Sequence, residues 1–234
     1  MLGITATEGW RAAHAGGCVG LLEMTGIENG GSSAALDARK REIEAEVRAR
    51  YAGYARADFL TLPVMTAYDR YYTRFNKTYH VQLQLESIVL KGKRLPSVSP
   101  AVDANFMAEI ETLVLTAGHD AAKLVAPVMI DTSGVGERMT QMNGEPKDIR
   151  AGDMLMRDAD GIRCSIIYGQ DARSPIAPST THALYVVYAP MGVPAESVAA
   201  QLEKIAAYVR LASPGAQVVQ QRVVRAERTL ATHE

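Results

Sequence analysis

The sequence predicts an α+β fold. Segments with helix-period apolar spacing crowd the first half of the chain, short apolar runs bounded by Gly, Asp and Asn fill the second half, and no regular strand–helix alternation joins the two. With 234 residues, 47% of them hydrophobic and 22% charged, the chain has the means to bury a sizeable core, which excludes disorder as a description of the whole.

From the N-terminus, Thr5 to Ala15 has helical composition, and after the Gly16-Gly17 turn the run Cys18 to Met24 reads as an apolar strand. Ser32 or Ser33 is placed to cap a long helix from Ala34 to Tyr51, whose Arg39, Lys40, Arg41, Arg48 and Arg50 alternate with Glu42, Glu44 and Glu46 as on a solvated face. Pro63 suits the first turn of a helix reaching Phe75, on which Met65, Tyr68, Tyr72 and Phe75 make one apolar stripe. Val81 to Leu90 carries both periods and is assigned to helix, with Lys91-Gly92-Lys93 as its stop. Ala101 to Leu115 favours helix and is closed by Gly118.

Short strands are expected at Val125 to Ile130, Arg138 to Met142, Met154 to Met156, Ile162 to Tyr168 and Ala183 to Tyr188. Hairpin turns fall at Asn143-Gly144 and Asp160-Gly161. An amphipathic helix from Ala195 to Ala212 and an apolar run at Val218-Val219 complete the pattern. No repeat or composition break divides the chain, so residues 1–234 are expected to form a single domain.

The formal charge of -1 supplies no net field for non-specific nucleic-acid or membrane binding, so any RNA contact needs a local patch. No apolar stretch reaches the roughly 20 residues of a membrane span and no signal core follows the start, which gives a cytoplasmic expectation. Cys18 and Cys164 are too few for a disulfide framework. His14, His80, His119, His182 and His233 show no helical ligand spacing, so no metal is expected. Phosphate-loop, dinucleotide, zinc-protease and serine-elbow fingerprints are missing, and no cofactor is expected.

Three polar groups stand out. His80, Gln82, Gln84 and Glu86 share one predicted helix, Gln82 with Glu86 on one face and His80 with Gln84 on another. His119 next to Asp120 combines a residue titrating near neutrality with a carboxylate, the pairing a general base uses. Cys164, Ser165, Tyr168, Asp171 and Arg173 follow the Asp158 to Gly161 turn. His119, Asp120 and Glu86 are the catalytic candidates. His80, Gln82, Gln84, Cys164, Ser165, Tyr168, Asp171 and Arg173 are the substrate-binding ones.

Tyr71-Tyr72-Thr73-Arg74-Phe75, Leu90-Lys91-Gly92-Lys93-Arg94-Leu95-Pro96 and Ala101-Val102-Asp103-Ala104-Asn105 lie in order between Tyr68 and Asp120. Gly136-Glu137, Asn143-Gly144-Glu145, Ala151-Gly152-Asp153, Asp160-Gly161 and Thr180-Thr181 follow, the last before the Leu184 to Tyr188 strand. This series resembles the tRNA-binding and editing module of the bacterial phenylalanyl-tRNA synthetase β subunit, the B-three/B-four domain, which also occurs as freestanding proteins of about this length. The resemblance covers residues 58–189.

It implies a three-layer sandwich of two β layers and a helical layer, with a pocket between the sheets. It also implies hydrolysis, in trans, of tyrosine wrongly attached to the phenylalanine tRNA, by a positioned water and without a covalent nucleophile. The family's editing histidine falls on Ala117 when Asp120 is aligned, so His119 is displaced. The family's small-residue floor matches the bulkier Cys164-Ser165, and its late-strand glutamate has no counterpart in Ala183 to Val187. Lys91, Lys93 and Arg94 form the local basic cluster that a tRNA backbone requires. The polar groups by themselves also fit a pocket protein or enzyme acting on a free amino acid or small metabolite without RNA.

Overall fold

The computed structural model describes residues 1–227; His233 lies outside the described residues. In chain order the elements are β1 (Ile4–Ala6), α1 (Glu8–Ala13), β2 (Cys18–Thr25), α2 (Ala34–Arg50), α3 (Arg56–Phe59), α4 (Pro63–Thr73), α5 (His80–Val89) and α6 (Pro100–Thr112). After these come β3 (Thr116–Asp120), a 3-10 turn (Ala121–Lys123), β4 (Val128–Thr132), β5 (Arg138–Thr140), β6 (Pro146–Asp148), β7 (Met154–Asp158), β8 (Gly161–Ser165) and β9 (Gly169–Gln170). β10 (His182–Ala189), α7 (Ala195–Ala212) and β11 (Gln217–Arg225) complete the order. The architecture is a layered α+β sandwich: an antiparallel sheet in the order β11-β2-β10-β3, a second sheet in the order β1-β4-β7-β8-β9, a small β5-β6 ribbon, and helices.

Both hairpins lie where the turn signals put them: β5 pairs with β6 across Asn143-Gly144, and β7 pairs with β8 across Asp160-Gly161. Several boundaries differ from the sequence expectation: the strand expected at Val125 to Ile130 begins at Val128, the one expected at Ile162 to Tyr168 stops at Ser165, and three further differences bear on the sheets. Ile4–Ala6 is a strand, pairing in parallel with β4, and the first helix begins only at Glu8, where Thr7 Oγ1 accepts from Trp10 N at 3.1 Å. Helix α6 stops at Thr112 because Leu113 takes a left-handed φ of 64°, so Thr116 to Asp120 emerges as a strand instead of a helix end. β11 spans Gln217–Arg225, although only Val218-Val219 signals it; its polar residues lie along β2 at the edge of the sheet.

Two contacts fix the layers. A Cβ on Gly20 of β2 would meet Val198 Cγ1 at 2.6 Å and Leu202 Cδ1 at 3.2 Å, so glycine there lets α7 lie directly on the sheet. Helix α4 ties the two sheets together through tyrosine hydroxyls. Tyr68 donates to Tyr188 O at 2.6 Å and accepts from Leu115 N at 3.0 Å, while Tyr71 donates to Asp153 Oδ1 at 2.7 Å and Tyr72 to Ile166 O at 2.9 Å. The apolar rings fill the core and each phenol meets a backbone or carboxylate group that burial would otherwise strand.

The charged face of α2 is only partly solvated. Lys40 is fully buried; it pairs with Asp103 and donates to Pro96 O at 3.1 Å and Ser97 Oγ at 3.0 Å. Buried Glu44 accepts from Leu95 N at 2.6 Å, and Arg48 donates to Lys93 O at 2.9 Å. These groups pin the exposed loop between α5 and α6 to the body of the protein.

Candidate functional site

A cavity of about 410 Å³ opens between the β3 edge of the four-stranded sheet, helix α6 and the β8–β9 end of the other sheet. Val102 and Phe106 of α6, Leu115, Ile166 and Ile176 supply apolar walls, and the exposed Val98 and Met142 stand at its mouth. Its polar lining is His80, Asn105, Thr116, Cys164, Ser165, Gln170 and Tyr188; among the described residues, no Lys, Arg, Asp or Glu lines it.

Two of these polar groups are buried without a partner. Asn105 donates through Nδ2 to Thr116 O at 3.4 Å, which leaves its Oδ1 as a bare acceptor. Because a carbonyl oxygen only accepts, the amide nitrogen must be the atom that faces Thr116. Tyr188 is fully buried and, among the described residues, its hydroxyl meets no nitrogen or oxygen partner, only the Cys164 thiol beside it; burial, and next the thiol, push its pKa well up, so it stays protonated. Unpaired buried polar atoms are costly, and this acceptor and this donor both lie in residues that border the cavity, closed off from water.

Of the sequence candidates, His80, Cys164 and Ser165 line the cavity. His80 is the first residue of α5, and its Nδ1 lies 3.1 Å from Tyr72 Oη. Burial pushes its pKa down to about 4, so the ring is neutral at physiological pH. Burial also pushes the Cys164 thiol up to about 12, which removes it as a thiolate nucleophile. Ser165 Oγ donates to the Asp153 carboxylate and accepts from Tyr168 N at 3.1 Å. Asp153 also accepts from Tyr71 and from Ile167 N, and burial raises its pKa to about 6.

The remaining candidates do not converge on the cavity. His119 is fully enclosed: Ser174 Oγ donates to Asp171 Oδ1 at 2.7 Å and so accepts from His119 Nδ1 at 2.8 Å. Its pKa falls to about 4, chiefly through burial, and Gln170, which lines the cavity, touches its ring at 3.1 Å. His119 therefore belongs to a buried ionic cluster in which Arg163 bridges Asp158 at 2.8 Å and Asp171 at 2.5 Å. Asp120 does not pair with His119. It accepts from Ala122 N and Thr180 Oγ1 and caps the 3-10 turn.

Glu86 accepts from Gln82 Nε2 at 2.9 Å and pairs with Arg56 at 3.3 Å, on a face of α5 away from the cavity; Gln84 does not line it either. Asp171 and Arg173 form no ion pair with each other, since Arg173 pairs with Asp160 at 2.7 Å. Tyr168 packs with a small satellite cluster of Met139, Ile149, Leu155 and Ile162, with Lys147 Nζ 5.5 Å from its ring centre. Lys91, Lys93 and Arg94 are exposed on the loop that ends at the cavity mouth with Val98.

Nothing in the sequence marks Gln170 or Tyr188 as a pocket residue, and Asn105 stands out only within the family-like series. Tyr188 sits in an unbroken apolar strand, where nothing local marks it as polar lining. No helix among the described residues is long and apolar enough to cross a membrane, and these residues hold no cluster of metal-ligating side chains.

No protein-family model matches the chain, and no curated protein matches it. Among solved structures, the chain is similar to an N-terminal fragment of the phenylalanyl-tRNA synthetase β-subunit from Pyrococcus horikoshii. The identity is 9% and the TM-score 0.49, over 95% of this chain and 54% of that one. The chain thus spans about half the length of that fragment.

Proposed function

We propose that the protein binds the acyl group of an aminoacyl ester in the cavity between its sheets and hydrolyses the ester, the alcohol being the end of a tRNA. The observation that carries this reading is the lining: apolar walls, an unpartnered acceptor at Asn105, an unpartnered donor at Tyr188 and no charged side chain. A free amino acid would bring a carboxylate into the cavity with no cation to meet it, and an uncompensated buried charge is strongly disfavoured. An aminoacyl ester lacks the carboxylate, and its α-amino group, which titrates near neutrality, can enter the cavity uncharged. The Asn105 and Tyr188 pair suits an acyl side chain that ends in a hydroxyl, and a site built this way discriminates against the analogue lacking it.

Lys91, Lys93 and Arg94 supply the positive charge for an RNA backbone. They lie on the loop that Arg48, Glu44 and Lys40 hold in place and that brings Val98 to the mouth. The sequence resemblance over residues 58–189 points to the same activity.

The test is deacylation of a panel of aminoacyl-tRNAs, including tyrosyl-tRNA of the phenylalanine acceptor. Release of tyrosine is expected to outpace release of phenylalanine, and tRNA affinity should fall with salt, less steeply in a variant with Lys91, Lys93 and Arg94 all changed to Ser. If no ester is hydrolysed and no tRNA is retained at low salt, while neutral aryl alcohols raise the melting temperature, the cavity serves a small molecule and the RNA reading fails.

A further inference from the structure

The protons around His80 can be assigned one by one. Tyr72 Oη has a single proton and donates it to Ile166 O at 2.9 Å. Towards His80 Nδ1, 3.1 Å away, the hydroxyl can then only accept, so Nδ1 bears the ring proton. In the neutral ring this leaves Nε2 as a lone pair, and among the described residues it has no hydrogen-bond partner. The ring stands edge-on to Tyr72 and Tyr79, at centroid distances of 6.0 and 5.6 Å, which holds its plane. The positive end of the α5 dipole also keeps its first residue neutral in the resting state, so the ring holds a second proton only transiently. The other nucleophile candidates on the cavity wall are committed: the Cys164 thiol is held protonated by burial, and the Ser165 hydroxyl donates to Asp153.

We propose that His80 Nε2 is the general base of the cavity, with Tyr72 as the positioning residue that fixes its tautomer. This rests on the ester-hydrolysis reading above. A water molecule gives a proton to Nε2 as its oxygen bonds to the ester carbonyl carbon. The bond from that carbon to the alcohol oxygen then breaks, and the leaving oxygen takes the proton back from Nε2. The products are the acid and the alcohol, and the ring returns to its starting state.

The experiment compares the full chain with its His80→Gln and Tyr72→Phe variants in deacylation of tyrosyl-tRNA, alongside 15N spectra of histidine-labelled wild-type protein. His80→Gln is expected to lower kcat by roughly 10²-fold with KM little changed. Tyr72→Phe should lower kcat at constant KM and shift the His80 nitrogen signals towards a mixture of tautomers. Full kcat in His80→Gln, with the wild type active, overturns the assignment and leaves the ester reading standing. If the wild type hydrolyses no ester, the ester reading falls and the assignment falls with it. Should a variant fail to fold, the wild-type spectrum decides: a bare Nε2 supports the assignment, and a protonated Nε2 overturns it.

Discussion

Arg163 Nη1 stands 2.5 Å from Asp171 Oδ2 with both side chains shielded from solvent, and the same carboxylate, through Ser174, orients the His119 ring. A buried guanidinium that loses one of its two carboxylates keeps its desolvation cost without full compensation. Asp171→Asn is therefore expected to lower stability by about 3 kcal/mol or more, read as a drop in the urea midpoint at unchanged slope. His119→Gln should lower the midpoint too, yet leave kcat of the folded protein unchanged, because His119 faces this cluster and not the cavity. A loss of kcat without loss of stability would contradict that placement.

Tyr188→Phe removes a hydroxyl that, among the described residues, has no nitrogen or oxygen partner and only the Cys164 thiol beside it. The variant is expected to keep the wild-type melting temperature or exceed it, since nothing is left unpaired by the change. Its affinity for a hydroxyl-bearing acyl ligand should fall by about tenfold, the loss of one hydrogen bond of roughly 1.4 kcal/mol. Asn105→Leu should act in the same direction on binding. Titrating a tyrosine ester into each variant and following the melting temperature separates the two effects.

Glu109 is fully buried, accepts from Thr116 N at 2.7 Å, and burial raises its pKa to about 8. The folded state thus holds a proton that the unfolded chain releases above the ordinary glutamate value, so this residue makes stability fall as pH rises from about 4.5 to about 8. Glu109→Gln mimics the protonated acid and keeps the acceptor for Thr116. It is expected to match the wild type near pH 4 and to exceed it at pH 7 by on the order of 3 kcal/mol. Urea denaturation at a series of pH values measures the difference; parallel curves would show that Glu109 is ionised in the folded protein.

Much of the fold was legible because it is locally encoded. Ser33 caps α2 through a bond to Leu36 N, Pro63 opens α4, and the Asn143-Gly144 and Asp160-Gly161 turns fix two hairpins, each a preference acting within a few residues. The α+β class, the helices α2, α4, α5 and α7 and the pairing of Gln82 with Glu86 on one helix face follow from such signals. β3 and β11 do not, because each owes its existence to a strand distant in sequence: β3 to β10, and β11 to β2.

The site divides along the same line. Residue type alone marked His80, Cys164 and Ser165 as candidates, and their segments do reach the cavity. Residue type also marked His119, Asp120 and Glu86, which the fold commits to Ser174, to Thr180 and to Arg56. Sequence neighbours such as His119 and Asp120 point to opposite sides of a strand, so adjacency says nothing of partnership. What the sequence determined by itself was the set of local elements and the stock of polar groups. Which of those groups are satisfied and which are left without a partner, as at Asn105 and Tyr188, was decided only when distant strands and helices closed around one cavity, because satisfaction of a buried polar atom depends on every neighbour at once.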